Sequence, residues 1–297
     1  ILLIAFVRAD DLTSLSEDEL YADDIVYTKS SQYQRILITR NAAGFQLFLN
    51  GNLQFSSADE YRYHEALVHP PMATMPAARR VLILGGGDGL ALREVLKYRT
   101  VQHVTLVDLD PKMTSLADTF KPLGVLNHHS FKDPRVTVVN ADAMIWLEHG
   151  RDRFDTAIID FPDPSSFALG KLYTTRFYRL LRTRLAPDAA ISVQSGSPLY
   201  ARQSFWCIVR TMEAAGLHVR PYQTTVPSFG VWGFALARMQ PFDIPKHVDV
   251  PVQYLDNASL AAMFVFPRDM EPVPVEINRL DNQMLVRYYE EEWRRWS

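Results

Sequence analysis

The sequence predicts an α/β fold, in which a doubly wound sheet of the Rossmann type follows a small N-terminal antiparallel β domain. Two observations support this prediction. From residue 81 onward, apolar strand-like runs alternate with helical segments, which is typical of a parallel sheet covered on both faces. Residues 25–57 instead alternate β-branched or aromatic residues with polar ones, and Asn50-Gly51 is a hairpin signal.

The predicted parallel strands are short and almost wholly apolar. They are VLIL at 81–84, HVTLVDLD at 103–110, RVTVV at 135–139, TAIID at 156–160 and AAISVQ at 189–194. Residues 218–224 and 231–237 are predicted to be a closing pair of strands. With right-handed crossovers, the ligands of such a sheet lie beyond the carboxyl ends of its strands.

Changes of pattern divide the chain into four predicted segments. They are an acidic leader or linker at 1–24, the β domain with a connecting helix at 25–72, the Rossmann-like domain at 73–240 and a C-terminal extension at 241–297. The connecting helix, 60–68, is predicted to end before a proline-rich join. The extension ends in an amphipathic helix, which packs either on the domain body or against a second copy or a membrane surface. Its predicted apolar face carries Leu285, Tyr289, Trp293 and Trp296.

The composition is that of a globular protein with enough apolar material for a core. The chain has 297 residues, of which 47% are hydrophobic and 22% charged, and its formal net charge is −3. That charge does not indicate nucleic acid as a partner. Cys207 is the single cysteine, so no internal disulfide can form. The pair His128-His129 lacks metal-ligand spacing to a cysteine, and no metal site is predicted.

The apolar start of the chain, Ile1 to Val7, is too short to span a bilayer, which needs roughly 20 residues. It is either a first strand or trimmed tail, or the stub of a membrane helix from a longer protein. No other segment is typical of a membrane span or a signal peptide.

A glycine loop, residues 85–89, lies between the first parallel strand and the following helix. Gly85 and Gly87 would let the backbone approach a ligand, and Asp108 ends the second strand where a ribose-binding carboxylate is expected. Asp88 would repel the pyrophosphate of a dinucleotide but would favour a cationic amine or sulfonium. The loop therefore predicts an adenosyl-sulfonium ligand rather than NAD or ATP, with helix capping as the alternative role of Asp88.

Further carboxylates follow the next strands. Asp142 comes directly after the third strand, where it would face an adenine or cap a helix. Asp160 and Asp163 lie three residues apart on a proline-stiffened turn, where both can face one ligand. With Asp88, Asp108 and the upstream pair Asp59-Glu60, they predict an anionic cleft that selects cations. The alternative is a turn that contains aspartate only because turns favour it.

Six strings match one known family in order and spacing. They are GNLQFSSADEYRYHEALVHPPM, VLILGGGDGLALREVLKY, VTLVDLD, DPRVTVVNADA, IIDFPDP and LYTTRFY. With Gln-x4-Asp-Glu-x2-Tyr-His-Glu beside GGGDG, the sequence resembles the spermidine synthases, a family of polyamine aminopropyltransferases, from about Tyr27 to Ala237. The resemblance implies a small N-terminal β domain on a Rossmann-like, methyltransferase-type core.

The resemblance also implies a reaction. The family transfers the aminopropyl group of decarboxylated S-adenosylmethionine to a diamine, usually putrescine, and releases methylthioadenosine, with no permanently bound cofactor. Positions that match the family's motifs are expected to bind the nucleoside (Gln34, Asp108, Asp142), the aminopropyl amine (His64, Asp88) and the diamine (Gln54, Tyr63, Asp160, Asp163).

Asp160 is expected to accept the proton of the attacking nitrogen, with Tyr63 orienting that nitrogen and Asp163 gripping the diamine. A base is needed because an alkyl ammonium, with a pKa near ~10.4, is not nucleophilic at neutral pH. Phe229 lies in the diamine pocket, where the family often has a tyrosine in a Pro-Thr-Tyr motif. An amine other than putrescine is therefore an alternative acceptor.

The resemblance further implies a homodimer. The string PSFGVWGF and the aromatic C-terminal tail are similar to bacterial members that carry an N-terminal membrane region, so the expected location is the cytoplasm or the cytoplasmic face of the inner membrane. Two other functions stay open, an S-adenosylmethionine-dependent methyltransferase and a non-catalytic nucleoside-binding domain. Asp88 favours the decarboxylated co-substrate, and the presence of both Asp160 and Asp163 favours catalysis.

Overall fold

A computed structural model describes residues 21–295 of the protein. The chain divides into two compact units between Glu60 and Tyr61, and each unit is described by itself. The segment boundaries predicted at 24, 72 and 240 stay predictions. The apolar stretch Ile1 to Val7, most of the acidic leader and Trp296 lie outside the described residues.

Within the described range, the first unit is a four-stranded antiparallel sheet with the strand order β1-β2-β3-β4. Its strands are β1 (Asp24–Ser30), β2 (Arg35–Asn41), β3 (Gly44–Leu49) and β4 (Asn52–Ser56). Asn50 and Gly51 join β3 to β4 with φ angles of 50° and 81°. Two successive positive φ angles are what a tight two-residue hairpin requires, so the predicted hairpin is confirmed.

Helices and strands alternate after β4. They are α1 (Glu60–Thr74), β5 (Arg80–Gly85), α2 (Leu90–Leu96), β6 (His103–Asp108), α3 (Pro111–Thr119), α4 (Lys121–Leu126), β7 (Val136–Asn140), α5 (Ala143–His149), β8 (Phe154–Asp160), α6 (Phe167–Gly170), α7 (Thr175–Thr183), β9 (Leu185–Gln194), α8 (Arg202–Ala214), β10 (His218–Val226), β11 (Gly230–Arg238), α9 (Asn257–Met263) and α10 (Met284–Trp293). Short 3-10 turns lie at 130–132, 171–173 and 268–270.

In the described part of the chain, β5 to β11 form a seven-stranded sheet with the order β10-β11-β9-β8-β5-β6-β7. Strands β5 to β9 are parallel, and β11 pairs antiparallel with both β9 and β10. The chain moves from β5 to β6 and β7 on one side and then returns to β8 on the other. This switch point lies where Gly85 pairs with Asp160, and ligands of doubly wound sheets bind at such points. The predicted fold class is confirmed.

Hydrophobic cores cover both faces of this sheet, because successive strand residues point to opposite sides. Leu82 and Leu84 belong to one core, which includes residues of α5, α7 and α8. Val81 and Ile83 belong to the other, which includes residues of α1, α2 and α9. The two cores hold β5, and with it the glycine loop, in a fixed position.

The proline-rich join does not end helix α1, which continues through Pro70 and Pro71 to Thr74. Pro70 has no N–H to donate to the carbonyl of Ala66, four residues earlier. The hydroxyl of Tyr222, on β10, donates to that carbonyl at 2.8 Å. A tertiary hydrogen bond thus replaces a helical one, and the prediction that the helix ends at 68 is wrong for that reason.

Two buried acids fasten α1 to the rest of the second unit. The carboxylate of Glu65 accepts three backbone N–H groups, from Gln253, Tyr254 and Leu255, at 2.6 to 3.1 Å. Nε2 of His69 lies 2.8 Å from the Glu94 carboxylate on α2. These contacts hold the start of α1, which carries Tyr63 and His64.

The C-terminal helix α10 (Met284–Trp293) packs against α8. Leu285 lies in the core, while Tyr289 and Trp293 are half-buried. The predicted apolar face therefore packs on the domain body at these three positions. Among residues 21–295, no helix is long and apolar enough to cross a membrane.

Gly85→Ala is expected to lower the free energy of unfolding by about 3 kcal/mol or more. Gly85 has a φ of 81°, and an added Cβ would collide with the carbonyl oxygen of Asp160. Gly196→Ala is the matched control, because Gly196 has a φ of 70° and the nearest atom to its added Cβ is 3.6 Å away. The control should lose only about 1 kcal/mol. Equal losses in urea unfolding would contradict the close packing of Gly85 on β8.

Candidate active site

The carboxyl ends of β5, β6 and β8 bring Gly85, Asp108 and Asp160 to one edge of the sheet. β5 lies between β6 and β8, so the glycine loop that follows it is flanked by the carboxylates of the other two strands. The sequence could predict this grouping, because the ends of parallel strands share an edge.

The carboxylate of Asp108 accepts backbone N–H groups, one of which belongs to the glycine loop. Its Oδ2 accepts the N–H of Gly87 at 3.1 Å, and its Oδ1 accepts the N–H of Asp110 at 2.8 Å. A Cβ at position 87 would lie 2.7 Å from the carboxylate, so only glycine permits this approach. Burial raises the pKa of Asp108 to about 6, against the opposing effect of the backbone N–H groups.

Asp88 precedes Gly89, the N-cap residue of α2, and its Oδ1 accepts the N–H of Leu90, the first residue of that helix, at 2.8 Å. The alternative role at the helix start, which the sequence left open, is therefore present as this one hydrogen bond. The charge of Asp88 also contributes to the raised pKa values of Asp108 and Asp160. The three carboxylates accordingly form one electrostatic group, and a cation between them would relieve their repulsion.

Asp160 and Tyr63 are in direct contact. The Tyr63 hydroxyl donates to Oδ1 of Asp160 at 2.6 Å. Burial, followed by the charge of Asp160, raises the pKa of Tyr63, so its hydroxyl stays protonated and remains a donor. Oδ2 of Asp160 lies on the other side, against Gly86, where an added Cβ would be 3.2 Å from it. The second carboxylate oxygen therefore faces the glycine loop.

Burial raises the pKa of Asp160 to about 6. The nearby His64 lowers it, Asp88 raises it, and the hydrogen bond from Tyr63 lowers it again. The ring of His64 is buried and meets that of Tyr63 edge-on, with centroids 5.0 Å apart. Asp160 is thus a stronger base than an exposed aspartate.

Asp163 lies beside Asp160 in the chain but has different partners. Its Oδ1 accepts the amide of Gln194 at 3.3 Å, and its Oδ2 accepts the hydroxyl of Tyr289 at 3.2 Å. Burial raises the pKa of Asp163 to about 6, and both hydrogen bonds lower it from where burial alone would put it.

Phe229 and Trp232 form an apolar wall beside Tyr63. The ring centroids of Phe229 and Trp232 are 5.3 Å apart, and those of Phe229 and Tyr63 are 6.5 Å apart. All three rings are half-buried. Such a wall suits the methylene chain of an amine better than its charged ends.

Asp142 caps α5 and also pairs with a lysine. Its Oδ1 accepts the N–H groups of Met144 and Ile145, and its Oδ2 lies 2.6 Å from Nζ of Lys171. Burial would raise the pKa of Asp142, but the Lys171 ammonium and the backbone donors outweigh it and hold the pKa below its usual range. Asp142 thus stays ionised, and its nucleoside contact stays a prediction.

Gln34 and Gln54 lie in the first unit. Gln34 immediately precedes β2, and Gln54 is in β4, where its side-chain amide donates to the carbonyl of Asn52 at 3.0 Å. Asp59 and Glu60 are the last residues of that unit. The ligand contacts expected of these four residues stay predictions. Within residues 21–295, no group of three or more His, Cys, Asp or Glu side chains is arranged to hold a metal ion.

Comparison with known proteins gives a consistent result. Residues 60–245, more than half of the chain, match the family model of the spermine/spermidine synthase domain. The chain belongs to the spermine/spermidine synthase family. The resemblance read from the sequence is therefore confirmed.

Individual relatives extend the similarity beyond this domain. The chain is 51% identical to a polyamine aminopropyltransferase of Leptospira interrogans over 99% of its own length and 59% of the relative's. It is 53% identical to polyamine aminopropyltransferase 2 of Ralstonia nicotianae over 98% and 58%. The chain thus spans about three-fifths of the length of these curated relatives.

A solved spermidine synthase in complex with the transition state analogue AdoDATO is similar in structure, with a TM-score of 0.74 and 31% identity. The similarity covers 82% of this chain and 86% of that one.

Sequence reasoning missed four residues of the site. Gln194 is 3% exposed, and its amide donates to Asp163, to the carbonyl of Phe161 and to the hydroxyl of Tyr173. It ends the predicted strand 189–194 at the same sheet edge, so its position could have predicted that it belongs to the site. Lys171, Tyr173 and Tyr289 lie on segments whose placement no strand pattern predicts.

Asp163→Asn is expected to stabilise the protein above pH 6. The raised pKa means that ionising Asp163 costs more in the folded state than in the unfolded state. This cost to the stability of the fold is absent below the unfolded pKa of about 3.9 and is fully present above the folded pKa of about 6. The melting temperature of Asp163→Asn should therefore exceed that of the wild type by more at pH 8 than at pH 5.

Asp142→Asn is the matched control and should behave oppositely. The lowered pKa of Asp142 means that its charge stabilises the fold at every pH above its unfolded value, and that this stability is lost only as the pH falls through the folded value. This variant should melt below the wild type by a similar margin at pH 5 and pH 8. The same sign for both variants would contradict the assigned electrostatics.

Proposed function

We propose that the chain transfers the aminopropyl group of decarboxylated S-adenosylmethionine to a diamine, putrescine or a related amine, giving a spermidine-type polyamine and methylthioadenosine. The observation that carries the proposal is the pair Asp160–Tyr63 beside a glycine loop that contains Asp88. The names of the curated relatives and of the solved spermidine synthase support the same reaction.

Asp88 is the basis for the choice of co-substrate. Its carboxylate would lie beside the tail of an adenosyl-sulfonium bound on the glycine loop. Intact S-adenosylmethionine has a carboxylate there, which Asp88 and the neighbouring acids would repel. The decarboxylated form presents only an ammonium, which the same acids and the polar ring of His64 would accept.

The acceptor must lose a proton before it can attack. Transfer from an ammonium with a pKa near ~10.4 to an ordinary aspartate is uphill by about 9 kcal/mol, whereas transfer to a carboxylate with a pKa of about 6 is uphill by about 6 kcal/mol. Burial therefore makes Asp160 a better base. We assign Oδ2 as the accepting atom, because Oδ1 already takes the Tyr63 hydroxyl.

The transfer itself is a displacement at carbon. The lone pair of the attacking nitrogen forms the new C–N bond to the methylene carbon beside the sulfonium. The C–S bond breaks, and its electron pair stays on sulfur, which becomes the neutral thioether of methylthioadenosine. The nitrogen proton goes to Asp160. The cleft supplies mainly in-line positioning, and the sulfonium is already activated as a leaving group.

Asp163 is proposed to bind the distal ammonium of the diamine, with Phe229 and Trp232 against its methylene chain. A charge on Asp163 is required for this role, so the affinity for the diamine should fall as the pH drops below about 6. The predicted methyltransferase and non-catalytic alternatives would not need this second carboxylate.

Assembly and location also belong to this proposal. A homodimer, a cytoplasmic location and attachment to the cytoplasmic face of the inner membrane stay predictions that rest on the family resemblance. Measurement of the molecular mass in solution tests the homodimer. Cell fractionation of the full-length protein tests the cytoplasmic location and the membrane attachment.

Decarboxylated S-adenosylmethionine is expected to bind at least ~10-fold more tightly than the intact form, because one like-charge contact is worth about 1.4 kcal/mol or more. Calorimetry with both compounds measures this ratio. Methylthioadenosine release with a panel of diamines then identifies the acceptor. Tighter binding of the intact form would favour a methyltransferase, and no release with any amine would favour a binding domain.

Asp160→Asn is expected to lower kcat by at least ~100-fold, since the general base is lost, while binding of the nucleoside stays unchanged. Asp155→Asn is the matched control, because Asp155 lies near the other end of β8, where its carboxylate accepts the backbone N–H groups of Arg79 and Arg80. The control should retain its turnover. Near-normal turnover of Asp160→Asn would remove Asp160 as the base.

A further inference from the structure

The C-terminal helix α10 is held at both ends by buried polar contacts. At its far end, the carboxylate of Glu292 accepts the N–H groups of Gln203 and Ser204 at 2.6 and 3.0 Å and the Ser204 hydroxyl at 2.8 Å. Helix α8 has no side-chain cap of its own at Ala201, so Glu292 fills that role from another helix. Glu292 is 5% exposed.

The near end of α10 is fastened by Asn278, which is fully buried. Its side-chain amide donates to the carbonyls of Gly170 and Tyr173 at 3.0 and 3.2 Å, and its Oδ1 accepts the N–H of Leu285 at 3.3 Å. Tyr173 is the residue whose hydroxyl bonds Gln194. The C-terminal extension is therefore hydrogen-bonded to the segment 170–173. Gln194, which donates to the Tyr173 hydroxyl of that segment, also donates to Asp163.

Between these two anchors, Tyr289 points at the site. Leu285, Tyr289 and Glu292 share one face of the helix, at spacings of four and three residues. The Tyr289 hydroxyl donates to Oδ2 of Asp163 at 3.2 Å. Burial, followed by the charge of Asp163, raises the pKa of Tyr289, so the hydroxyl keeps the proton that it donates.

We propose that Tyr289 is a positioning residue for the acceptor end of the site: it orients the Asp163 carboxylate and favours its ionised form, and thereby sets the affinity for the distal ammonium of the diamine. This inference rests on the proposed function of Asp163. It assigns to the C-terminal extension a part in substrate recognition that neither the glycine loop nor the strand ends supply.

The electrostatics around Asp163 make the effect measurable. The groups that face it are Tyr289 from α10, Tyr173 from the 171–173 turn, Tyr63 from α1 and the amide of Gln194 from β9. Of these, Tyr289 and Gln194 lower the pKa of Asp163 by hydrogen bonding. Removing the Tyr289 hydroxyl should therefore raise the pKa of Asp163 and weaken binding of the dication.

The test is Tyr289→Phe, followed by methylthioadenosine release from decarboxylated S-adenosylmethionine and 1,4-diaminobutane. At pH 8 the KM for the diamine should rise by ~5- to 10-fold, the loss expected for one hydrogen bond of ordinary strength. The kcat and the KM for the sulfonium should change by less than ~3-fold. The acidic limb of kcat/KM for the diamine should move to higher pH by about half to one unit.

Tyr288→Phe is the matched control. It makes the same substitution one residue away on the same helix, where the hydroxyl of Tyr288 accepts the N–H of Glu276 at 3.2 Å and does not touch Asp163. It should leave both the KM for the diamine and the pH profile unchanged.

The possible outcomes separate the two proposals. Equal behaviour of the two variants, or an unmoved acidic limb in Tyr289→Phe, overturns the role of Tyr289 while the aminopropyl transfer stands. Absence of methylthioadenosine release by the wild-type protein with every diamine overturns the proposed function itself. If the KM for the diamine rises only in Tyr289→Phe and the acidic limb of its kcat/KM profile moves to higher pH, the result supports both the role of Tyr289 and the proposed aminopropyl transfer.

Discussion

The mutual repulsion of carboxylates at one edge of the central sheet is the constraint on which the rest of this structure depends. Asp88 follows β5, while Asp108 and Asp160 end the neighbouring strands β6 and β8, and burial and the charge of Asp88 raise the pKa values of both. Keeping them together at neutral pH is unfavourable for folding. The two hydrophobic cores that hold β5 and β8 in register oppose this cost, and a cationic ligand would remove it.

The acids outside the site show the contrast. Glu65 and Glu292 each accept three hydrogen bonds from backbone or hydroxyl donors, and Glu94 is surrounded by basic side chains. Those carboxylates are satisfied and serve as fasteners between segments. Asp160 and Asp163 receive fewer donors and have raised pKa values. The difference is what separates a structural acid from one suited to bind a cation or accept a proton.

Local pattern was sufficient for the regular parts of the fold. Strict alternation of apolar strands and helices predicted the sheet, and Asn50-Gly51 predicted the hairpin, because both depend on neighbours in the chain. The prediction that α1 ends before Pro70 is wrong, because a helix can pass through a proline when a residue of another element bonds the carbonyl that the proline leaves without a donor. Tyr222, which does so, is more than 150 residues away.

The sequence by itself determined the fold class, the glycine loop and the acids at the strand ends, because strand order and spacing place these residues at one edge whatever the loops do. Only the tertiary structure decided how each acid is tuned. Lys171 beside Asp142, Gln194 and Tyr289 on Asp163, and Tyr63 on Asp160 come from separate segments. A pKa depends on burial and on partners within a few ångströms, and the packing of distant segments sets both.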